Sequence, residues 1–242
     1  MTIPYKNTIT YGPIHSRRLS HSLGINLLPF DQKVCSFNCI YCQYGKTKVQ
    51  KGEFLKPEVI AEQVKKRLSE ISELDHITFS GNGEPMLYPC FLQVVEMIKK
   101  LRDELKPKVP LAILTNGTEF GDGEKRKGLE LIDKIIVKVD CGNEECFKKI
   151  NRPLKKISFA EHISNIKKGR PNYIQTLFIK DSLKYLDDWY RTIEQFGKIC
   201  EIQIYSLDRP TETYLEPVSL EDLKRIAHRR SRVRITVYHR EI

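Results

Sequence analysis

Three cysteines fall within eight residues, Cys35-Ser-Phe-Asn-Cys39-Ile-Tyr-Cys42, with three and then two residues between them. A loop of this size can wrap one face of a metal cluster without closing it. A cube-shaped iron–sulfur cluster takes four protein ligands, so three local thiolates leave one iron open to something else. An open iron makes such a cluster a reaction site rather than an electron wire. A zinc site is the alternative, with His21 or His15 as fourth ligand. Zinc knuckles usually pair two Cys-x-x-Cys turns, and this loop has one. Three inert buried thiols are a third reading.

Other residues carry chemistry at a distance from this loop. Gly81-Asn82-Gly83-Glu84 combines side-chain-free positions, which permit a tight turn or a close backbone approach, with a carboxylate. Asn116 and Asp140 end two apolar runs. Lys138 stands two residues before Asp140, so in a strand both point to one face. Arg17, Arg18 and Arg209 suit an anionic substrate. A basic stretch from Lys224 to Arg240 contains Arg225, Arg229, Arg230, Arg232, Arg234 and Arg240. It reads either as a surface for RNA phosphates and bases or as a solvated helix and edge strand.

The Cys-x-x-x-Cys-x-x-Cys loop, with Tyr41 before its last cysteine, resembles the signature of the radical S-adenosylmethionine superfamily. Ser80-Gly-Asn-Gly-Glu-Pro85 is similar to that superfamily's glycine–glutamate motif, with Asn82 inserted. Ser16-Arg-Arg-Leu19, Ser22 to Pro29, Thr78 to Pro85, Leu114-Thr-Asn-Gly117 and Ile150-Asn-Arg-Pro153 resemble a short group within it. That group is related to the wyosine-base synthase of tRNA and, more distantly, to the molybdopterin-precursor enzyme. The resemblance implies a [4Fe-4S] cluster on Cys35, Cys39 and Cys42, with S-adenosylmethionine on the open iron. It implies reductive cleavage to a 5′-deoxyadenosyl radical that takes hydrogen from a substrate. A one-electron donor such as flavodoxin or ferredoxin is implied too. Tyr41 would lie near the adenine, and Gly81, Asn82, Gly83 and Glu84 near the methionine ammonium. Asn116, Lys138 and Asp140 would reach the ribose or carboxylate. Relatives of the group often carry serine where Lys138 stands. The chain also lacks the cysteines that the wyosine synthase carries ahead of its radical motif.

Elements must bring these residues together. Ser22 to Leu28 reads as a first strand. Ile60, Val64, Leu68 and Ile71 recur at helical spacing behind Pro57. Strands are expected at His76–Ser80, Leu111–Thr115, Ile135–Asp140, Tyr173–Lys180 and Glu201–Tyr205. Helices are expected over Phe91–Leu105, Ser158–Lys168, Leu183–Phe196 and from Ser219 to about Arg230. Arg232 to Tyr238 alternates as an edge strand. Strands separated by helices predict parallel βαβ units. About six units in 242 residues predict a partial (β/α)6 TIM-like barrel in one domain, 1–242, with a C-terminal edge strand. Function then collects at the carboxyl ends of the strands, where the polar residues above fall.

Composition bounds the partners. Net charge is +10, which favours RNA or an anionic substrate, or else marks a lysine-rich solvated surface. No apolar run approaches ~20 residues and the N-terminus lacks an apolar signal segment, so a cytoplasmic protein is expected. Seven cysteines, an odd number, make a poor disulfide framework. Cys90, Cys141, Cys146 and Cys200 read singly as small core residues, and the Cys141–Cys146 spacing argues against an auxiliary cluster. RNA modification leads among substrates; a protein- or peptide-modifying activase and a non-catalytic zinc-stabilised RNA-binding module are the alternatives.

Overall fold

The computed structural model describes residues 2–47, 52–229 and 231–240. Its eight strands lie in one sheet in chain order: β1 (Thr10–Ser16), β2 (Ser20–Ile25), β3 (His76–Phe79), β4 (Leu111–Thr115), β5 (Lys134–Lys138), β6 (Tyr173–Leu177), β7 (Glu201–Tyr205) and β8 (Ile235–Val237). From β2 to β8 every neighbouring pair is parallel, and β1 runs antiparallel to β2. The helices are α1 (Pro57–Glu70), α2 (Phe91–Leu105), α3 (Gly123–Leu129), α4 (Glu144–Cys146), α5 (Phe159–Lys168), α6 (Leu186–Ile193) and α7 (Leu220–His228). Six strand–helix units followed by β8 make the expected partial barrel.

Alternation along the strands divides two environments. Leu23, Ile25, Ile77, Phe79, Ile113, Val137, Ile174 and Ile204 face the helices and join Ile60, Val64, Leu68 and Ile98 in the main core. Ser22, Gly24, Thr78, Leu114, Ile136, Lys138, Gln175 and Tyr205 instead line the lumen. A polar lumen beside an apolar outer layer is the arrangement of a barrel that holds a ligand.

Three elements, β1, α3 and the short α4, escape the sequence pattern. β1 contains Gly12 and Pro13 and shifts register between Tyr11 and Ile14; proline is tolerated there because β1 is an edge. The tip of the β1–β2 hairpin crosses the lumen. Leu19, buried, packs on Ala112, Ile136, Leu114 and Tyr173, and its carbonyl oxygen lies 2.8 Å from His76 Nδ1. α3 carries glycines at both ends, which lower helix propensity, yet Asp122 caps it by accepting from Glu124 N and Lys125 N. The strand over Arg232–Tyr238 is shorter than expected and pairs parallel with β7. Arg230 and residues 48–51 lie outside the described residues.

The cysteine readings need correction. Cys90 and Cys200 are exposed, not core: one precedes α2, the other begins the approach to β7. Cys141 and Cys146 are buried but joined as a disulfide across the turn from β5 into α4, with Cα atoms 5.5 Å apart, a separation that suits a bridge. Among the described residues no helix is long and apolar enough to cross a membrane.

Candidate active site at the mouth of the barrel

The loop between β2 and α1 carries the clustered thiols, and the turn after β3 holds that loop in place. Val34 N donates to Asn82 O (3.0 Å), and Glu84 N donates to Val34 O (2.9 Å), a short parallel bridge between Val34 and Gly83. Gly81 and Gly83 have φ of 152° and 141°, a region that disfavours side chains. A Cβ on Gly83 would stand 1.9 Å from Val34 O, and one on Gly81 2.2 Å from Asn26 Oδ1. The glycines therefore let the turn press against the segment that leads into Cys35.

The neighbouring residues have distinct duties. Asn82 is fully buried; its amide donates to Lys6 O and Pro29 O, and its Oδ1 accepts from Lys6 N. Its side chain is thereby spent on the protein. Glu84 accepts from Thr115 Oγ1 (2.7 Å), Asn116 N (2.7 Å) and Met86 N (3.1 Å). Burial pushes its carboxyl up to about 7, against the pull of those donors.

Asp140 ties the strands to the loop. It accepts from the Tyr41 hydroxyl, Asn151 Nδ2 (2.9 Å) and Leu177 N (2.9 Å), and pairs with Lys138 Nζ at 2.8 Å. Lys138 also donates to Tyr205 OH (3.0 Å) and lines the lumen, whereas Asp140, past the end of β5, is buried behind the wall. Two amides are directed at sulfur: Asn116 Nδ2 lies 3.7 Å from Cys35 Sγ, and Asn151 Nδ2 lies 3.5 Å from Cys39 Sγ.

Cys35, Cys39, Cys42, Tyr41, Gly81, Gly83, Glu84, Asn116 and Lys138 share one cavity of about 710 Å³ with Arg17, Arg18 and Arg209. Asn82 and Asp140 stand behind that wall. Arg18 stacks 4.5 Å from the centre of the Tyr205 ring, and Lys138 lies 4.8 Å from it. Arg17 reaches Asp208 only at 3.9 Å, while Arg209 donates to Gln43. Sequence reasoning missed Lys33, Asn26, Tyr11, Asn151 and Tyr205 as site residues. The alternation of Ile202 and Ile204 with Gln203 and Tyr205 is the sequence signal that could have found Tyr205.

Three free thiols on one cavity wall are a donor set that fits an iron–sulfur cluster. The three thiols are free, yet among the described residues no three His, Cys, Asp or Glu side chains converge on one metal ion. His15 and His21 meet edge-on, ring centres 5.2 Å apart. Burial pushes Cys35 up to about 12 and Cys39 up to about 11. Without a bound cation these thiols stay protonated, and metal charge is what deprotonates them. Lys33 is buried beside the trio and donates to Gly45 O (2.9 Å). Burial works to lower its pKa, but thiolate charge on Cys42, Cys35 and Cys39, present once the trio is ionised, outweighs that and holds it above the ordinary value.

A family model described as the radical SAM superfamily matches residues 31–193. The chain belongs to the radical SAM superfamily. The chain is 32% identical over 232 residues to the UPF0026 protein MJ1312 of Methanocaldococcus jannaschii, covering 90% of this chain and 70% of that protein. It is 22% identical over 185 residues to the S-adenosyl-L-methionine-dependent tRNA 4-demethylwyosine synthase of Schizosaccharomyces pombe, covering 74% of this chain and 24% of that one. A radical SAM methyltransferase from Sphaerobacter thermophilus superposes with a TM-score of 0.64 at 16% identity, over 90% of this chain and 65% of that one, a likeness of fold. The first matched relatives vary in length: this chain spans 31% of one and 70–73% of the next two. Radical SAM enzymes use a [4Fe-4S] cluster and S-adenosylmethionine, so this chain is an enzyme of that type, its substrate unidentified.

Proposed function

We propose that Cys35, Cys39 and Cys42 hold the cluster and that the barrel mouth modifies an RNA nucleotide. Bound there, the cluster would supply the one-electron reductive chemistry on S-adenosylmethionine by which the family starts hydrogen abstraction from a substrate. The protein's own part is positioning. Gly81 and Gly83 seat the loop, Asn116 and Asn151 direct their amides at two of its sulfurs, and Asp140 fixes Tyr41 against the wall. Gly81, Gly83, Glu84, Asn116, Tyr41 and Lys138 face the space where S-adenosylmethionine would lie. Asn82 and Asp140 support it from behind.

The observation that carries this reading is the single cavity, whose wall holds both the free thiols and three arginines. Arg17, Arg18 and Arg209 would grip phosphates, and Tyr205, backed by Arg18, offers a face for a base taken out of its stack. The net charge of +10 and the likeness to a tRNA-modifying synthase support RNA as the substrate class. The reductant would be a flavodoxin or ferredoxin.

Replacing Cys39 with Ala tests the ligand assignment. We expect the anaerobically reconstituted wild type to hold about four irons and to form 5′-deoxyadenosine, and the variant to lose both. Retained iron and retained 5′-deoxyadenosine would refute the assignment. For the substrate, nucleoside profiles of RNA from cells with and without the gene should differ by one modified nucleoside.

A further inference from the structure

A basic strip forms the outer wall of the cysteine loop, and we propose that it is the docking face for a small acidic one-electron carrier of the flavodoxin or ferredoxin type. The inference rests on the cluster assignment above. Segment 147–156 reads Phe-Lys-Lys-Ile-Asn-Arg-Pro-Leu-Lys-Lys and contains no acid. It runs along the loop: Ile40 N donates to Ile150 O (3.0 Å), Asn38 N to Arg152 O (3.0 Å), and Leu154 N to Ser36 O (2.9 Å). Phe37 and Pro153 form a β-bridge. Ser36 adjoins Cys35, and Asn38 and Ile40 flank Cys39, so the strip lies one hydrogen bond from the residues that carry sulfur.

The strip has two sides. Asn151 turns inward, its amide 3.5 Å from Cys39 Sγ. Arg152, Leu154, Lys155 and Lys156 are exposed and absent from the cavity wall. Lys148, Lys149 and Lys155 pair with Glu144, Asp181 and Glu119. Among the described residues, neither Arg152 nor Lys156 has a carboxylate within ion-pair distance. Two unpaired cations around an exposed leucine are the chemistry of a weak, electrostatically steered contact, small and short-lived. RNA could also answer to this charge, but Arg152 and Lys156 are absent from the cavity wall that Arg17, Arg18 and Arg209 line. A carrier is favoured because the strip backs directly onto the thiol loop. The transfer moves one electron from the carrier's reduced flavin or iron centre to the cluster, where one ferric iron becomes ferrous. No bond forms and no proton moves.

The test uses the reconstituted, cluster-loaded protein carrying Arg152→Glu with Lys156→Glu, and the milder Arg152→Gln with Lys156→Gln. Cluster reduction is followed anaerobically by absorbance and paramagnetic resonance, with reduced flavodoxin or with dithionite. We expect flavodoxin-driven reduction of the wild type to slow with added salt. The Glu pair should reduce at least tenfold more slowly at low salt and the Gln pair should fall between. Dithionite reduction, iron content and tRNA binding should stay unchanged in both. An unchanged flavodoxin rate overturns the proposal, as does a loss of tRNA binding with the flavodoxin rate intact, which would assign the strip to RNA. Equal slowing with dithionite in both pairs also overturns it, by placing the damage in the cluster. A wild type without iron is a different result, which overturns the cluster assignment and this proposal together.

Discussion

At the scale of single residues, the site depends on close packing of backbone as much as on donors. Gly83 is the sharpest case. Its φ and its contact with Val34 O leave no room for a methyl group, and the clash is with main chain that cannot swing away. Gly83→Ala should displace the segment entering Cys35, lowering iron retention severalfold and stability by about 2 kcal/mol or more. Iron content after reconstitution, with the urea midpoint, measures this; a variant that binds iron like the wild type would show that the bridge to Val34 is not needed. The cysteines themselves were legible in the sequence because their spacing is local. Asp140 as a support was not, because Tyr41 lies 99 positions away and only the barrel brings the two together. The same holds for Asn151, whose link to Cys39 spans 112 positions.

At the scale of elements, the repeating strands and amphipathic helices were readable, since each shows its period over a whole segment. Leu111–Thr115, Glu201–Tyr205 and Phe91–Leu105 fall where the pattern places them. The hairpin strand β1 and the glycine-bearing α3 were not readable, because an edge strand with proline and a short capped helix carry little periodicity. α5 is held behind the cysteine loop by His162, which stacks on Phe147 with ring centres 5.0 Å apart and meets Phe37 edge-on at 5.3 Å. Among the described residues its Nδ1 has no hydrogen-bond partner. Burial lowers its pKa to about 4, against a smaller opposing pull from Asp140. The unfolded chain protonates near 6.5, so folding holds His162 neutral. Its stabilising contribution is complete above pH 6.5 and is lost as pH falls through 4. Between pH 7.5 and 5 that loss amounts to about 2 kcal/mol. His162→Phe keeps the stack and removes the proton site. Urea unfolding at both pH values should show the wild type losing about 2 kcal/mol more than the variant, and equal losses would mean that His162 titrates normally.

At the scale of the whole molecule, charge is the property with the least local meaning. A net charge of +10 could sit anywhere, and much of it is spent: Arg225 pairs with Asp222, and Arg229 with Asp187 and the Tyr190 ring. The C-terminal basic stretch is thus partly neutralised, which favours its reading as a solvated face. The cavity keeps Lys6, Arg17, Arg18 and Arg209 on its wall, with Arg18 held by an aromatic ring rather than a carboxylate. If these four meet phosphates, RNA affinity should fall with salt on a log–log slope of about −3, at roughly 0.7–0.9 per contact. A rise from 50 to 200 mM salt would then weaken binding by a factor of ~60. Replacing Arg17 and Arg18 with Ala should flatten the slope by about two contacts, whereas changing Arg225 and Arg229 should leave it near the wild-type value. Filter binding of tRNA across a salt series separates the two surfaces. A slope that responds to the C-terminal pair and ignores the hairpin pair would move the RNA off the barrel mouth, and with it the substrate from the thiol-lined cavity.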